Sequence, residues 1–430
     1  MGNYTGRRKS WVVAFLGAMV AIHAVLLWNA RDLIKPGYPD FTTFYDAGAN
    51  LRNGTAAQLY PGPQPQDGQT DFAAGEGIGG IDSSPATLLP YMHPPYECLI
   101  FAPLSLLPYG AAYLTWNAIN LLLLLACGLL LGRELFPDEK HFTFFWLLAG
   151  LGFFPTCIVL LQGQDSIALL LLFAMVYLSL NRGQEFLAGA WLGAGLLRPQ
   201  IVLPFLLILL FRRQRARFLG GFFTSAMVLG IISIWTTNWR TVLYYPLFLL
   251  QMNRRLGGRT IFPADMPNLR GLASQWLLLG TPAWLATASV ALFSVLLIVL
   301  AGRLWRRTTT EPSRRKNDRE TVDELAFAVS TVVALLVSYY IHLHDLSLLL
   351  LPAVLLAKAW LREGPLARPW GTVAALAVAA LFFSPLYVAL MRYRGVSLLA
   401  YLLLLIVVAL AMVSSSGKIH LASTTTSMGR

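Results

Sequence analysis

Residues 186–211 read FLAGAWLGAGLLRPQIVLPFLLILLF, an apolar stretch whose only charge, Arg198, stands near its centre. A helix needs roughly 20 mostly apolar residues to cross a bilayer, and this stretch has the length and the composition. Apolar runs of similar character flank it on both sides, at 11–28, 109–131, 142–161, 166–180, 218–235, 271–301, 325–340, 346–360, 370–390 and 398–413. The 430-residue chain is 56% hydrophobic and only 13% charged, whereas soluble domains carry about 25% charged residues. These features exclude a soluble fold. They predict an all-α membrane protein, a single polytopic domain over 1–430, with about ten spans and one irregular element.

The irregular element is 186–211 itself. Arg182 lies before it and Arg212, Arg213, Arg215 and Arg217 lie after it, so both ends carry the marks of the same membrane side. The stretch is too short for two full spans. Arg198-Pro199-Gln200 at its centre therefore predicts a broken or re-entrant pair of short helices. Non-helical backbone at that depth must be covered by protein or line a wet cavity.

The net charge of +12 does not signal nucleic-acid binding, because the basic residues sit mostly in short loops between apolar runs. Arg7, Arg8 and Lys9 place the N-terminus in the cytoplasm, ahead of an uncleaved first span: Trp28-Asn29 makes a poor signal-peptide cleavage site. The basic loop 303–323 is expected on the same side. The acidic segment 29–108 becomes a first outer (periplasmic) loop, irregular over 61–80, and 236–270 a second. The protein is thus expected in the cytoplasmic (inner) membrane with its active face extracytoplasmic. Cys98, Cys127 and Cys157 fit no metal motif.

This topology brings polar residues from distant parts of the chain to one membrane face. They are Asp40 and Asp46, His93, Gln164 and Asp165, and His342, His344 and Asp345, with Arg198 beneath them. A central arginine costs roughly 2.5–3.5 kcal/mol on insertion scales. Holding an anionic group such as a phosphate would justify that cost, and so would a structural ion pair. Asp40 has two readings as well. It can cap a helix starting at Phe41 or serve as a catalytic acid or base. Two histidines alone do not make a metal site, so no metal or other cofactor is expected.

At these residues the sequence resembles glycosyltransferase family 87, multi-pass enzymes of the GT-C superfamily that use polyprenyl-phosphate sugars. The likeness runs through Asp40-Phe41 with Tyr45, Ala47-Gly48, Gly54 and Leu59-Tyr60, then His93-Pro94-Pro95 with Pro103-Leu104, Leu107-Pro108, Ala111-Ala112 and Trp116. It continues through Gly163-Gln164, through Leu187-Ala188-Gly189 to Arg198-Pro199-Gln200, and through Ser338 to His344-Asp345-Leu346. Each motif is short, and their order and spacing over 38–355 carry the resemblance. Where many members have Lys before Pro-Gln this chain has Arg198, where Asn is common it has Asp165, and where Tyr is common it has His344.

The resemblance implies a GT-C-like helical bundle under an outer loop bearing an essential acid, and Asp40 falls on that acid. It implies an inverting hexosyltransferase, with mannose favoured. The donor would be a polyprenyl-phosphate sugar, the acceptor a glycan or glycolipid, and membrane lipids would be further partners. Arg198, His342, His344, Gln164, Tyr45, His93, Asp46, Asp345 and Gln200 are the implied substrate-binding residues. The alternative, a lipid or small-molecule transporter, is disfavoured by the lack of an internal repeat and by a helix break in only one half of the chain.

Overall fold

A computed structural model of the protein describes residues 2–34, 39–60, 91–212, 215–255, 263–310, 316–363 and 369–426. The described residues are mostly helical and form no strand. The irregular stretch expected at 61–80 lies outside them, as does the centre of the basic loop, 311–315.

Helix α1 (Gly2–Asn29) leads into the first loop, which folds into α2 (Pro39–Arg52) and the short α3 (Cys98–Phe101). The chain continues through α4 (Tyr109–Leu135), α5 (Phe142–Leu151), α6 (Phe154–Gln162), α7 (Ser166–Asn181), α8 (Glu185–Ala194), α9 (Pro199–Leu209) and α10 (Arg215–Thr236). The second loop holds α11 (Trp239–Arg255) and leads into α12 (Leu269–Leu278). Then come α13 (Ala283–Thr310) and α14 (Lys316–Val337), and a 3-10 stretch at Leu343–Leu349 that runs into α15 (Leu350–Glu363). The chain ends in α16 (Trp370–Leu381), α17 (Ser384–Arg392) and α18 (Leu399–Thr426).

Six of the described helical segments are long and apolar enough to cross a membrane, and two bent pairs bring the number to eight. This makes the chain a membrane-integral protein, with fewer full-length spans than the ten expected. The shortfall lies in α7, α8 and α9, which are apolar but short, and in α14, whose N-terminal half carries Asp323 and Glu324. Glu324 is buried and pairs with Lys358 of α15 at 2.8 Å.

The break at 186–211 falls where the sequence places it: α8 ends in a 3-10 turn, Gly195–Leu197, and α9 begins at Pro199. Two further breaks correct the expectation of a single one. α5 and α6 meet at 68°, and α16 and α17 at 66°. In each, a proline occupies the first turn of the second helix, Pro155 in α6 and Pro385 in α17. A proline there lacks the N–H that would continue the preceding helix. The argument against transport from a lone break therefore loses its premise.

The broken segments are packed tightly. Gly189 and Gly193 lie one turn apart on α8, and a Cβ on Gly189 would collide with the carbonyl oxygen of Phe218 on α10. Gly221 of α10 meets the Phe186 carbonyl of α8 in the same way. Small residues let membrane helices approach backbone to backbone, which gives short helices the contact area that length does not supply.

Two apolar cores result. The larger gathers α4 to α10 and α12 to α18, with the buried segment 343–361 among them. The smaller joins the first loop to the start of α4 and to α11, around Phe41, Phe44, Phe101, Trp116 and Phe248. Thr241 of α11 donates to the Ala57 carbonyl at 3.2 Å, and Tyr245 donates to the Met92 carbonyl at 3.1 Å. The second loop thus lies over the first. Polar residues from both cores meet at the junction between them.

Candidate active site

The frame of the site is the turn between α6 and α7, Gly163-Gln164-Asp165. Gly163 has φ +64°, and a Cβ there would sit 2.9 Å from Cβ of Phe41. Only glycine adopts that backbone freely and leaves room for α2 to seat Phe41 on the turn. Helix α4 pins the turn from the other side. Trp116 Nε1 and Asn120 Nδ2 donate to the Gln164 carbonyl at 3.3 and 3.0 Å. Tyr113 Oη and Asn117 Nδ2 donate to the Leu160 carbonyl at 2.6 and 3.0 Å.

Arg198 reaches this turn from the break before α9. Its Nε donates to Asp165 Oδ1 at 3.1 Å, and its Nη2 donates to Asp165 Oδ1 and to Gln164 Oε1. Asp345 Oδ1 lies 3.9 Å from Nε. The arginine is 4% exposed, so the ion-pair reading of Arg198 describes its geometry. Nη1 makes no hydrogen bond among the described residues.

Asp345 is fully engaged. Its Oδ2 accepts the His342 backbone N–H at 2.9 Å, and its Oδ1 accepts from Ser166 Oγ at 3.3 Å. These bonds fold residues 342–345 into a tight turn that separates the two histidines. His344 is buried, with Nδ1 2.8 Å from Gln162 Oε1. His342 stays partly exposed, its ring edge-on to Tyr340 at 4.7 Å between centroids.

Asp40 joins the group from above. Helix α2 starts at Pro39, so Asp40 sits within the first turn and is not the residue that caps it. The positive end of the helix dipole favours a carboxylate at that position. Asp40 remains partly exposed, whereas Asp165 and Asp345 are buried. Burial against the loop raises its pKa above the ordinary aspartate value. His342, a hydrogen bond from Gln164, and the Arg198 and His93 charges act in the opposite direction. Gln164, whose amide oxygen accepts from Arg198, also lies close enough to Asp40 to lower its pKa.

His93 comes in beside this group on the first loop. Its ring lies against Phe44 at 4.4 Å, and its Nδ1 is 3.0 Å from Glu97 Oε2. Burial lowers its pKa to about 3. Glu97 is 1% exposed, and burial raises it to about 7 despite the nearby Arg198 charge.

The remaining expected residues stand apart. The Tyr45 hydroxyl donates to the Leu107 carbonyl at 2.9 Å, tying α2 to the start of α4. Asp46 is partly exposed, and only burial raises its pKa. Gln200 lies in the first turn of α9 and joins none of these bonds. Sequence reasoning missed Glu97, although the signal that singled out Arg198 was present. Glu97 is the only charge between Asp82 and Arg133.

This geometry sets one partly exposed carboxylate against a paired arginine, a partly exposed histidine and the Gln164 amide. The model of glycosyltransferase family 87 matches residues 91–338, more than half of the chain. The chain belongs to glycosyltransferase family 87. No curated protein and no solved structure matches it. The match takes in His93, Glu97, Gln164, Asp165 and Arg198 of this glycosyltransferase, while Asp40 and the 342–345 turn lie on either side of it.

Proposed function

We propose that this membrane glycosyltransferase moves a hexose, mannose favoured, from a polyprenyl-phosphate sugar to an acceptor hydroxyl of a glycan or glycolipid. The reaction would take place on the outer face of the cytoplasmic membrane. The acceptor oxygen attacks the anomeric carbon while the bond from that carbon to the phosphate oxygen breaks. Asp40 takes the hydroxyl proton as general base. The polyprenyl phosphate leaves with the bonding electrons, and direct displacement inverts the anomeric centre. Arg198, as a preorganised cation, and His342, as a hydrogen-bond donor, hold the leaving phosphate where charge develops.

The observation that carries this reading is the contrast among the carboxylates. Asp165 and Asp345 are buried and bonded, and Asp46 is remote from the cations. Among the described residues, Asp40 alone combines access with neighbouring Gln164, His342 and Arg198. A raised pKa also makes it a stronger base than an ordinary aspartate.

The test is transfer of radiolabelled sugar by detergent-purified protein from polyprenyl-phosphate mannose and, separately, from the glucose analogue. A new glycosidic bond with inverted configuration supports the proposal. Labelled donor crossing a vesicle membrane with no new bond would replace it with the transport reading.

A further inference from the structure

We propose that His93, Glu97 and Asp165 form a site for one divalent cation of borderline character, such as Zn²⁺ or Mn²⁺, set behind the candidate active site. Two segments far apart in sequence supply the ligands. His93 and Glu97 flank Pro94-Pro95, which turns from extended backbone at Pro94 into a short 3-10 helix over Pro95–Glu97. That turn aims both side chains the same way. Asp165 comes from the α6–α7 turn. One potential ligand atom from each residue lies within 4.8 Å of the other two. Ligands about 2.0–2.2 Å from a shared ion fall in that range of mutual separation.

Two independent observations indicate a missing partner. Glu97 Oε2 and Asp165 Oδ2 are buried and make no hydrogen bond among the described residues, in residues 1% and 3% exposed. Buried polar atoms are nearly always satisfied, so two orphans facing one point ask for a ligand there. The 3.0 Å approach of His93 Nδ1 to Glu97 Oε2 does not relieve this, because it lacks the alignment of a hydrogen bond. Charge points the same way. Arg198 is bonded to Asp165 and lies 3.9 Å from Asp345, so its single positive charge is outweighed before Glu97 is counted. With Glu97 and Asp165 ionised, as ligands to a cation must be, three buried carboxylates face one guanidinium, and one divalent ion would neutralise the two excess negative charges.

One imidazole with two carboxylates suits Zn²⁺ or Mn²⁺ better than Mg²⁺, which favours an all-oxygen shell. The ion would hold the first loop to the α6–α7 turn and so steady Asp165 under Arg198. It takes no part in the bond exchange proposed above, and its occupancy can be read without turnover. The rival arrangement is a proton shared between Glu97 and Asp165.

The experiment uses the full chain, purified in detergent, stripped with EDTA and incubated with ZnCl₂ or MnCl₂ alone. Bound metal is counted by mass spectrometry after desalting, and thermal unfolding is followed in parallel. One ion per chain and a raised unfolding temperature are expected. Glu97→Gln should weaken binding by at least about tenfold, since even outer-shell changes cost 10–100-fold. Asp138→Asn, an exposed carboxylate elsewhere, should bind as wild type. Should Glu97→Gln not fold, His93→Asn serves the same comparison. Lack of stoichiometric metal in the wild type, or unchanged affinity in the ligand variant, overturns the site in favour of the shared proton. Either result leaves the transfer reading untouched.

Discussion

Arg198 and Asp165 meet across two interruptions of the helical bundle, with Nε and Nη2 of the guanidinium both donating to Oδ1 of the carboxylate. The pair is buried, and Asp345 stands at its edge. Arg198 therefore supports the fold. Arg198→Met leaves two buried carboxylates without their cation and is expected to lose about 3–5 kcal/mol of stability. Adding Asp165→Leu should recover a large part of it, because the pair is then removed together. Chemical or thermal unfolding of the purified single and double variants checks this. Equal stability of Arg198→Met and wild type would leave the pair without structural weight.

The two histidines of the 342–345 turn should separate by experiment. His342 is partly exposed and lies near Asp40, while His344 is buried against Gln162. His342→Ala is expected to raise the KM for the lipid-phosphate donor with little change in unfolding temperature. His344→Ala is expected to lower the unfolding temperature, having lost a buried bond worth about 1 kcal/mol and left Gln162 unpaired. The reverse pattern would exchange their roles.

Much of this arrangement is legible in the sequence, and the parts that are not have physical reasons. Apolar runs reveal spans because lipid selects composition over a fixed length. The break at Arg198 is visible because a charge and a proline coincide there. The breaks before Pro155 and Pro385 carry the same proline signal, but uniformly apolar flanks conceal it. Asp40 looks like a cap when the helix is read from Phe41; Pro39, favoured at the first helical position, starts it earlier. The pairing of Arg198 with Asp165 joins residues whose proximity depends on three packed turns, and no local pattern encodes it. Glu97 was readable as a lone charge and was missed because it sits in a loop, where charge is ordinary.

Gln164 lies beside Asp40 and lowers a pKa that burial has raised. In the proposed mechanism protonated Asp40 cannot take the acceptor's proton, so activity is expected to fall as pH drops through that raised value. The acid limb of kcat/KM is expected above the ordinary 3.8 of an aspartate. Gln164→Met removes the amide and should move the limb to still higher pH. A limb that stays in place would remove the Gln164 contact from the account.

Asp40→Asn tests the central claim most directly. Because Asp40 has a folded-state pKa above its unfolded value, protonation favours the folded state, and that gain is lost as pH rises through the raised pKa. At neutral pH the charged carboxylate is thus a load on the fold, which neutral Asn relieves. The variant should unfold at or above the wild-type temperature. Asn has no basic oxygen to take the proton, so turnover of polyprenyl-phosphate mannose should fall on the order of 10²–10⁴-fold. The measurement is that turnover beside the unfolding temperature, in one preparation of each protein. A stable, inactive Asp40→Asn is the expected result. A stable variant turning over at the wild-type rate would contradict the account and move the base to another carboxylate.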